Sequence, residues 1–550
     1  MESRRPGPSR TRPRSSGEPR VVTPGPADRP TTSPTTSPAT SPAAPPATRP
    51  LHPRLTPLGD LAALLGVPGT FADVRVGGLT LDSRRVQPGD LYAALPGARA
   101  HGAAFVAQAA EAGAVAVLTD PAGAEQAVAG LPLLVVPDPR AVLGSLAAQV
   151  YGDPAAALTT IGVTGTQGKT TVTRLLDGGL LAAGVRSAAI GTVGTRIAGE
   201  EVKTSLTTPE APDLHGLFAR MRELDVSACA MEVSSHALVL GRVDGVRFDV
   251  AVFTNLGRDH LDFHADVEEY FAAKALLFTP EHARLGLVCI DDEHGRRLLE
   301  QATIPVRSYA LGDPDADWTA HDVDSHADGS RFVVHGPDGL RVPAAVPLPG
   351  AFNVANALAA IAAAAEAGLD PHAVADGIAR SGGVPGRLER VPTSLDLSVV
   401  VDYAHKPDAL EAVLNTLRPV TRGRLVAIVG AGGDRDRGKR PVMGEIAARL
   451  ADVVVVTDDN PRTEDPAAIR AEVLAGARSA ETTGAARAEV REVGDRGAAI
   501  RETLAGAGPG DVVLIAGKGH ESGQEVAGVV HPFDDREVAR EVLRELEEKR

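Results

Sequence analysis

The chain has 550 residues, more than one hydrophobic core usually serves, and this length favours roughly three or four domains. Its formal charge of -15 argues against a nucleic acid or an anionic membrane as the main partner, because both are usually bound through basic patches. No apolar run reaches the roughly 18 residues that span a bilayer, and the amino terminus lacks the apolar core of a signal peptide. These features predict a cytoplasmic protein.

The amino-terminal residues 1–52 are dominated by Pro, Ser, Thr, Arg and Ala. They contain too few large apolar side chains to offset the entropy of ordering the chain, so we predict a disordered tail. The two cysteines, Cys229 and Cys289, each lie in an apolar run, which predicts buried free thiols and a reducing compartment.

From residue 53 onward, short β-branched runs alternate with Ala- and Leu-rich segments of helical period, a pattern typical of layered α/β folds. A strand running into a glycine loop at 158–171 and a Gly/Pro cluster at 382–389 divide this part. We predict domains at residues 53–157, 158–383 and 384–550. In the last domain three apolar runs, RLVAIVG, ADVVVVT and GDVVLIAG, each end in a polar loop. Such loops bind ligands at the carboxyl ends of parallel strands, so this domain is predicted to bind a ligand.

A glycine loop follows the strand TIGVT and opens a predicted helix that ends near Gly184. It consists of Gly165, Thr166, Gln167, Gly168, Lys169, Thr170 and Thr171. Backbone N–H groups of such a loop close around phosphate oxygens, Lys169 can reach the terminal phosphates, and the Thr170 hydroxyl suits Mg²⁺. The context favours a nucleoside triphosphate site over a plain glycine turn with a surface lysine.

Three titratable residues further along the chain could have either a functional role or an ordinary structural role. Glu232 ends the strand ACAMEV and His260 follows the strand VAVFTNL, which places both at the rim beside the phosphate loop. They suit Mg²⁺ against ATP, although a histidine by itself is more often a hydrogen-bonded structural residue. Lys274 lies in the helical pattern EEYFAAKALLF, and the pattern alone predicts a surface lysine.

Other polar positions have an ordinary structural interpretation when taken alone. In LTLDSRRVQPGDL, residues Asp82, Pro88 and Gly89 predict a β-turn. Asn353 is predicted to be the N-cap of an alanine-rich helix. Asp402 and His405 end the strand LSVVVDY, where capping and nucleotide contact both remain open.

Nine further motifs occur in a fixed order between the phosphate loop and the carboxyl-terminal region. They are TTPE (207–210), MEVSSHAL (231–238), FTNLGRDHLDFH (253–264), AFNVANALAA (351–360), PGRLE (385–389), VDYAHKPDAL (401–410), GGDRDRGKRP (432–441), DNPR (459–462) and GKGHE (517–521). Together they resemble the Mur ligase family, in whose phosphate loop Asn usually stands in place of Gln167.

The resemblance implies a three-domain α/β fold with a small UDP-binding domain, a central P-loop-type ATPase domain with a mostly parallel sheet, and a Rossmann-like carboxyl-terminal domain. It implies a monomeric, Mg²⁺-dependent ligase that uses ATP to add meso-2,6-diaminopimelate to UDP-N-acetylmuramoyl-L-alanyl-D-glutamate through an acyl phosphate, in peptidoglycan synthesis for cell-wall growth and division. Addition of L-lysine, or a ligase of the folylpolyglutamate synthetase type, is the alternative within the superfamily. A P-loop hydrolase or kinase, or a non-catalytic nucleotide-binding scaffold, is the alternative outside it.

The resemblance also implies roles for individual residues. The catalytic set is Lys169, Glu232, His260 and Lys274, with Lys274 carbamylated so that it joins Thr170, Glu232 and His260 as a magnesium ligand. ATP would contact the loop Gly165–Thr171 and Asn353. The uridine-linked precursor would contact Leu81, Ser83, Thr207, Thr208, Ser234 and Arg242, while Leu240 stands where relatives often have Gln. Diaminopimelate would contact Arg435, Asp459, Asn460, Pro461, Arg462, Gly517 and Glu521.

Arg462 bears on which amino acid is added. A planar guanidinium grips a carboxylate through two hydrogen bonds, and diaminopimelate carries a distal carboxylate that lysine lacks. Arg462 therefore favours diaminopimelate, against the alternative of a surface arginine after a turn.

Overall fold

The computed structural model describes residues 48–549, except residues 72, 99, 128–129, 205, 258, 261–262, 327 and 483–487. The predicted tail up to residue 47 lies outside the described residues. Residues 48–52, which composition assigned to that tail, contact folded segments. Arg49 donates both to the Asp90 carboxylate and to the Leu79 carbonyl, and the backbone N–H groups of Leu51 and His52 donate to Glu223. Amino-acid composition could not predict this boundary, because a few specific contacts order the segment, among them the ion pair between Arg49 and Asp90.

The amino-terminal part is built on a small parallel sheet. Its strands are β1 (Thr56–Pro57), β2 (Arg75–Val76), β3 (Gly78–Thr80), β4 (Asp90–Ala93), β5 (Ala116–Thr119) and β6 (Leu133–Val135), and its helices are α1 (Leu58–Leu64), α2 (Val106–Glu111), α3 (Pro121–Gln126) and α4 (Leu143–Tyr151). Strands β3, β4, β5 and β6 pair in parallel in that order, and β1 pairs with β2 as a separate antiparallel ribbon.

The central part is built on an eleven-stranded sheet. Its strands are β7 (Thr159–Thr164), β8 (Ser187–Gly191), β9 (Gly194–Ile197), β10 (Glu200–Val202), β11 (Ala228–Glu232), β12 (Phe248–Phe253), β13 (Ala283–Cys289), β14 (Val306–Ala310), β15 (Trp318–His326), β16 (Gly329–His335) and β17 (Arg341–Val346). Its helices are α5 (Lys169–Ala182), α6 (Ala211–Glu223), α7 (Ser235–Val239), α8 (Val267–Ala275), α9 (Glu293–Gln301), α10 (Ala351–Glu366) and α11 (Pro371–Arg380).

The order across the central sheet is β10-β9-β8-β11-β7-β12-β13-β14-β15-β16-β17. The strands from β8 to β15 are parallel, and antiparallel strands close both ends. Strand β7, which leads into the phosphate loop, therefore lies between β11 and β12. The carboxyl ends of these three strands meet at one edge, as the sequence predicted for Glu232 and the phosphate loop.

The third sheet has six strands. Its strands are β18 (Glu389–Val391), β19 (Leu397–Asp402), β20 (Leu425–Val429), β21 (Val453–Val456), β22 (Glu489–Glu492) and β23 (Asp511–Ala516), with a separate hairpin of β24 (Gly523–Val526) and β25 (Val529–Pro532). Its helices are α12 (Pro407–Leu417), α13 (Lys439–Leu450), α14 (Pro466–Thr482), α15 (Arg496–Ala505) and α16 (Asp535–Glu548). The order is β18-β19-β23-β20-β21-β22, and only β18 runs antiparallel to its neighbour. The three apolar runs are parallel strands, as predicted.

Helix α10 is rich in alanine, whose small side chain lets neighbouring elements approach closely. In α10 the run Ala357–Ala364 is buried, and the helix packs against α5. Both cysteines are buried and free, as the sequence predicted. Among the described residues, none of the helices combines the length and apolar composition that crossing a membrane requires.

Candidate active site

The phosphate loop has the backbone that its glycines predict. Gly165 and Gly168 have φ angles of 140° and 87°, which L side chains rarely adopt. A Cβ on Gly165 would lie 1.9 Å from Thr254 Oγ1, and one on Gly168 would lie 2.5 Å from Asn356 Oδ1. Both glycines are therefore required by conformation and by close neighbours, and Asn356 is a loop neighbour that the sequence did not reveal.

Residues after β12 fix the backbone of the loop. Asn255 accepts from the Gln167 N–H at 2.9 Å, and Thr254 donates to the Gln167 carbonyl at 2.6 Å. The Gln167 side chain is exposed. The loop backbone is thus held without that side chain, so the identity of residue 167 matters little to these contacts.

Two lysines converge on one carbonyl of the loop. Lys169 Nζ donates to the Gly165 carbonyl at 2.7 Å, and Lys274 Nζ donates to the same oxygen at 2.8 Å. Burial lowers the pKa of Lys169. Burial, followed by the charge of Lys169, lowers the pKa of Lys274 well below its ordinary value. Lys274 is 1% exposed, so the surface-lysine interpretation was wrong: its helix turns this position inward, onto the loop.

Glu232 lies at the end of β11, next to the phosphate loop, and is 1% exposed. Its Oε1 accepts from the Thr192 N–H at 2.8 Å, and its Oε2 lies 3.1 Å from the Thr192 hydroxyl, which donates to it. The charges of Glu232 and Lys169 act on each other, with Glu232 favouring the protonated lysine. The structure therefore brings the predicted carboxylate and the loop lysine into one site.

His260 has a left-handed backbone, with φ at 54°, in the loop after β12. Its imidazole Nε2 lies 3.4 Å from Asp259 Oδ2, and burial lowers the pKa of His260 to about 4. Lys406, from the loop after β19, forms an ion pair with Asp259. Burial by itself would raise the pKa of Asp259, but the charge and hydrogen bond of Lys406, together with the charge and backbone N–H of His260, lower that pKa below its ordinary value. His260 is thus neutral near pH 7, and the third sheet contributes a cation beside it.

The residues expected at the precursor site form two groups. Thr208 donates to the Glu232 carbonyl at 2.8 Å and accepts from the Ser234 N–H, while the Thr207 hydroxyl lies 3.2 Å from that of Thr192. Arg242 forms an ion pair with Glu210 at 2.8 Å and donates to the Thr208 carbonyl. These residues adjoin Glu232.

The second group, Leu81 and Ser83, follows β3 at the carboxyl edge of the first sheet. Ser83 donates to Gln108 of α2 at 3.0 Å. The turn expected here has two parts: Asp82 caps the short 3₁₀ segment Ser83–Arg85, and the Asp90 N–H bonds to the Gln87 carbonyl across Pro88 and Gly89.

Asn353 does not cap α10, which is a correction to the sequence-based expectation. The helix starts after Gly350, whose φ is 99°, and Asn353 lies in its first turn. There it donates to the Pro349 carbonyl at 2.8 Å and accepts from Asn356. Gly350 can adopt this φ, which L side chains rarely do. The side-chain amide of Asn353 instead links Pro349 to Asn356, the neighbour of Gly168.

Residues of the PGRLE segment reach the phosphate loop. Arg387 donates to the Thr170 hydroxyl at 3.3 Å, and its guanidinium lies 4.7 Å from the centroid of the Tyr403 ring. Asp402 accepts from the N–H groups of Leu388 and Ala404, and burial raises its pKa. Asp402 therefore holds the backbone of the PGRLE segment against the end of β19.

The residues expected to bind the incoming amine lie on loops at the carboxyl edge of the third sheet. Asn460 donates to Glu521 at 2.8 Å and accepts from the buried Lys518. Asp459 is 7% exposed, and its Oδ2 has no hydrogen-bond partner among the described residues. A Cβ on Gly517, whose φ is 116°, would lie 2.5 Å from that oxygen.

Arg462 follows Pro461 with a φ of 54°. It donates to the Gly433 carbonyl at 2.7 Å, and its Nε lies 3.5 Å from Glu525. The guanidinium is therefore held beside Asn460 and does not extend freely into solvent. Arg435 is exposed, and within the described part of the chain its side chain forms no hydrogen bond or ion pair. The structure thus brings together all of this set except Arg435.

The donor set for a cation is sparse. No group of three or more His, Cys, Asp or Glu side chains suited to a metal occurs in the described ranges. Mg²⁺, however, uses few protein ligands and takes its remaining oxygens from phosphates and water. A buried carboxylate at Glu232, a neutral imidazole at His260 and a hydroxyl at Thr170 are hard or borderline donors at one rim, and they fit such an ion.

Four contacts were missed from the sequence: Thr192 on Glu232, Asn356 on the loop glycine, Arg387 on Thr170, and Lys406 on Asp259. Each contact joins two segments that are far apart in the chain. The spacing of residues within one sequence motif therefore does not reveal it. The motifs AFNVANALAA, PGRLE and VDYAHKPDAL did contain three of them.

Comparison with known proteins identifies the family. Three family descriptions match: the Mur ligase family, catalytic domain, at residues 75–151; the Mur ligase middle domain at 163–364; and the Mur ligase, glutamate ligase domain at 386–519. The chain belongs to the Mur ligase family.

Individual relatives are more specific. The chain is 58% identical over 501 residues to the UDP-N-acetylmuramoyl-L-alanyl-D-glutamate--2,6-diaminopimelate ligase of Streptomyces avermitilis, covering 90% of this chain and 98% of the relative. It is 52% identical over 498 residues to the protein of that name in Corynebacterium efficiens, covering 88% and 94%. A solved structure of a ligase of the same name is 33% identical, with a TM-score of 0.65, and covers 90% of this chain and all of that one. A MurF ligase of Thermotoga maritima in complex with ADP, 19% identical with a TM-score of 0.59 over 86% of this chain and 98% of that one, shares the fold.

Proposed function

We propose that this protein is the ligase that adds meso-2,6-diaminopimelate to UDP-N-acetylmuramoyl-L-alanyl-D-glutamate, with ATP, in cytoplasmic peptidoglycan precursor synthesis. One observation carries the proposal. The phosphate loop contacts Arg387 on one side and adjoins Glu232 with its threonine cluster on the other, so an ATP site, a precursor site and the third sheet meet. A kinase or hydrolase needs no such three-way meeting, and the relatives' names supply the substrates.

The chain's residues account for the first step. Lys169 leaves the Gly165 carbonyl to neutralise the γ-phosphate, while Thr207, Thr208, Ser234 and Arg242 hold the precursor so that its D-glutamyl carboxylate attacks in line. The product is an acyl phosphate and ADP. Glu232, His260, Thr170 and carbamylated Lys274 would hold Mg²⁺, which would neutralise charge at the phosphates.

The second step needs the amine of diaminopimelate at the acyl carbonyl. Asp459, Asn460, Arg462, Gly517 and Glu521 lie at one edge of the third sheet, and Arg387 and Lys406 connect that sheet to the phosphate site. Attack by the amine forms a tetrahedral intermediate, which expels phosphate and leaves the amide. We assign the UDP end of the precursor to Leu81 and Ser83, and ATP contact to Asn353.

We propose three domains at 53–157, 158–383 and 384–550, one for each sheet, which act within a monomer with PGRLE as the hinge. Closure of the outer domains would exclude water from the acyl phosphate.

The amino acid choice rests on Arg462. The Gly433 carbonyl and Glu525 restrain its guanidinium, and a restrained guanidinium binds a distal carboxylate with less loss of entropy. L-lysine offers no partner to it. Arg462→Lys should raise the KM for diaminopimelate on the order of 10- to 100-fold, since a two-point charged contact becomes one.

The test is phosphate release from ATP with the precursor plus diaminopimelate, L-lysine or D-glutamate, using a precursor labelled with ¹⁸O in its D-glutamyl carboxylate. Turnover with diaminopimelate and transfer of ¹⁸O to phosphate is expected. Turnover with L-lysine but not with diaminopimelate would contradict the assignment of the amino acid. Released phosphate that contains no ¹⁸O would contradict the acyl-phosphate intermediate. ATP hydrolysis independent of both co-substrates would reject ligation.

A further inference from the structure

Thr192 follows β8 and is the residue through which the structure holds Glu232. Its N–H donates to Oε1 at 2.8 Å, and its hydroxyl lies 3.1 Å from Oε2. In the part of the chain that the structure describes, these are the only hydrogen bonds of the buried Glu232 carboxylate. One residue therefore sets the position of both oxygens.

The close approach is built into the strand end. A Cβ on Gly191 would lie 2.2 Å from Glu232 Oε1, so any larger residue there would require the carboxylate to move from the position that Thr192 holds. The bonded pair Thr192 and Glu232 joins the ends of β8 and β11, which are neighbouring parallel strands. The contact is thus part of the sheet edge and not a chance surface pairing.

The hydrogen bonds of the Thr192 hydroxyl have a defined direction. A carboxylate accepts and a hydroxyl carries one proton, so the Thr192 O–H points to Glu232. The Thr207 hydroxyl, 3.2 Å from Thr192 Oγ1, must then be the donor in that contact. A directed chain of two bonds runs from Thr207, a proposed precursor residue, through Thr192 to Glu232.

We propose that Thr192 is a positioning residue, which orients Glu232 toward the divalent cation and couples occupancy of the precursor site to cation binding. This inference rests on the proposed function for the identity of the precursor. Outer partners of a ligating carboxylate fix its orientation, and their loss typically weakens metal binding about 10- to 100-fold.

The experiment measures Mn²⁺ binding by electron paramagnetic resonance, with a non-hydrolysable ATP analogue present. Thr192→Val removes the hydroxyl and keeps the shape, Thr192→Ser restores the hydroxyl, and Thr195→Val is the matched control. Thr195 lies on the same hairpin and is buried, whereas Thr192 is partly buried, and the Thr195 hydroxyl is 3.1 Å from the Thr204 hydroxyl and makes no hydrogen bond to Glu232 in the described structure.

Thr192→Val should weaken Mn²⁺ binding about 10-fold, with Thr192→Ser and Thr195→Val close to the wild type. Equal weakening in both valine variants, or none in Thr192→Val, would overturn the positioning role. A wild type that binds no Mn²⁺ with the analogue would overturn it as well.

A second measurement adds the UDP-linked dipeptide. It should tighten Mn²⁺ binding in the wild type and do so less in Thr192→Val, because linkage between two sites is reciprocal. Unchanged tightening would overturn the coupling. Failure of ligation in the wild type rejects the proposed function on its own, since Mn²⁺ binding is measured without turnover.

Discussion

At the residue scale, Lys274 shows how surroundings change the chemistry of a side chain. Its amine is buried beside Lys169, so the neutral form is favoured, and its pKa lies well below the ordinary value. A neutral amine is the form that reacts with CO₂. Carbamylation would replace the repulsion between two ammonium groups by attraction between Lys169 and an anion.

We expect ¹³C-labelled bicarbonate to give a carbamate signal in the nuclear magnetic resonance spectrum of the wild-type protein. Lys274→Arg should lack the signal and lose ligase activity on the order of 100-fold. Lys203→Arg, at an exposed position, is the control and should retain both. A fully active Lys274→Arg variant would contradict the role of this lysine.

At the scale of elements, the junction of β7 and α5 distinguishes glycines that are required from glycines that are merely tolerated. Gly165 has a positive φ and a neighbour 1.9 Å from the position of a Cβ, whereas a Cβ on Gly178 of α5 would make an ordinary 3.4 Å contact with Ser381. Gly165→Ala should abolish measurable ATP binding in calorimetry because the loop must open.

Gly178→Ala is the comparison in the same segment. It should keep ATP binding and stabilise α5 by up to about 1 kcal/mol, since alanine favours helix. If Gly165→Ala bound ATP as tightly as Gly178→Ala, the loop would not be the nucleotide site.

Helix α6 buries a histidine whose titration should be visible in stability. His215 is 0% exposed, its Nε2 lies 3.1 Å from the carbonyl oxygen of Asp244, to which it donates, and burial lowers its pKa to about 4. Because a carbonyl only accepts, Nε2 must carry the proton.

The unfolded chain takes up this proton near pH 6.5, but the folded state does so only near pH 4. The contribution of His215 to stability is therefore present above pH 6.5 and is lost as the pH falls toward 4, by at most roughly 3 kcal/mol. In calorimetry at pH 7.5 and pH 5, the decrease in Tm should be smaller for His215→Gln than for the wild type. An equal decrease would contradict this contribution of His215, because His405 and His520, whose pKa values burial also lowers to about 4, are present in both proteins.

At the scale of the whole molecule, a short segment before the first sheet ties two sheets together. Arg49 pairs with Asp90 at the start of β4 while the adjacent backbone bonds to Glu223 at the end of α6. Both members of the ion pair are buried, and burial raises the pKa of Asp90 despite its partner.

Arg49→Met leaves the Asp90 carboxylate buried without its partner, and should destabilise the first sheet by about 3–5 kcal/mol. The loss should appear as a lower Tm for the first unfolding transition. Arg54→Met, at an exposed position, and removal of residues 1–44 should leave the Tm unchanged. A Tm loss on removing residues 1–44 would contradict the assignment of a disordered tail.

The sequence alone determined the class of fold, the phosphate loop and the order of the motifs. These are local properties: strand and helix periods, glycines at a strand-to-helix turn, and polar residues just past apolar runs that parallel pairing must align at one edge.

Only the tertiary structure decided which face of its helix Lys274 uses, that Gly350 and not Asn353 begins α10, and that Thr192, Arg387 and Lys406 face the site. Most of these depend on which distant segment packs against a residue, as where Arg387 bonds to Thr170, 217 positions away in the chain. Local sequence periodicity does not identify such distant partners. Which side chains are buried and which charges form pairs is therefore decided by the packing of the sheets and helices.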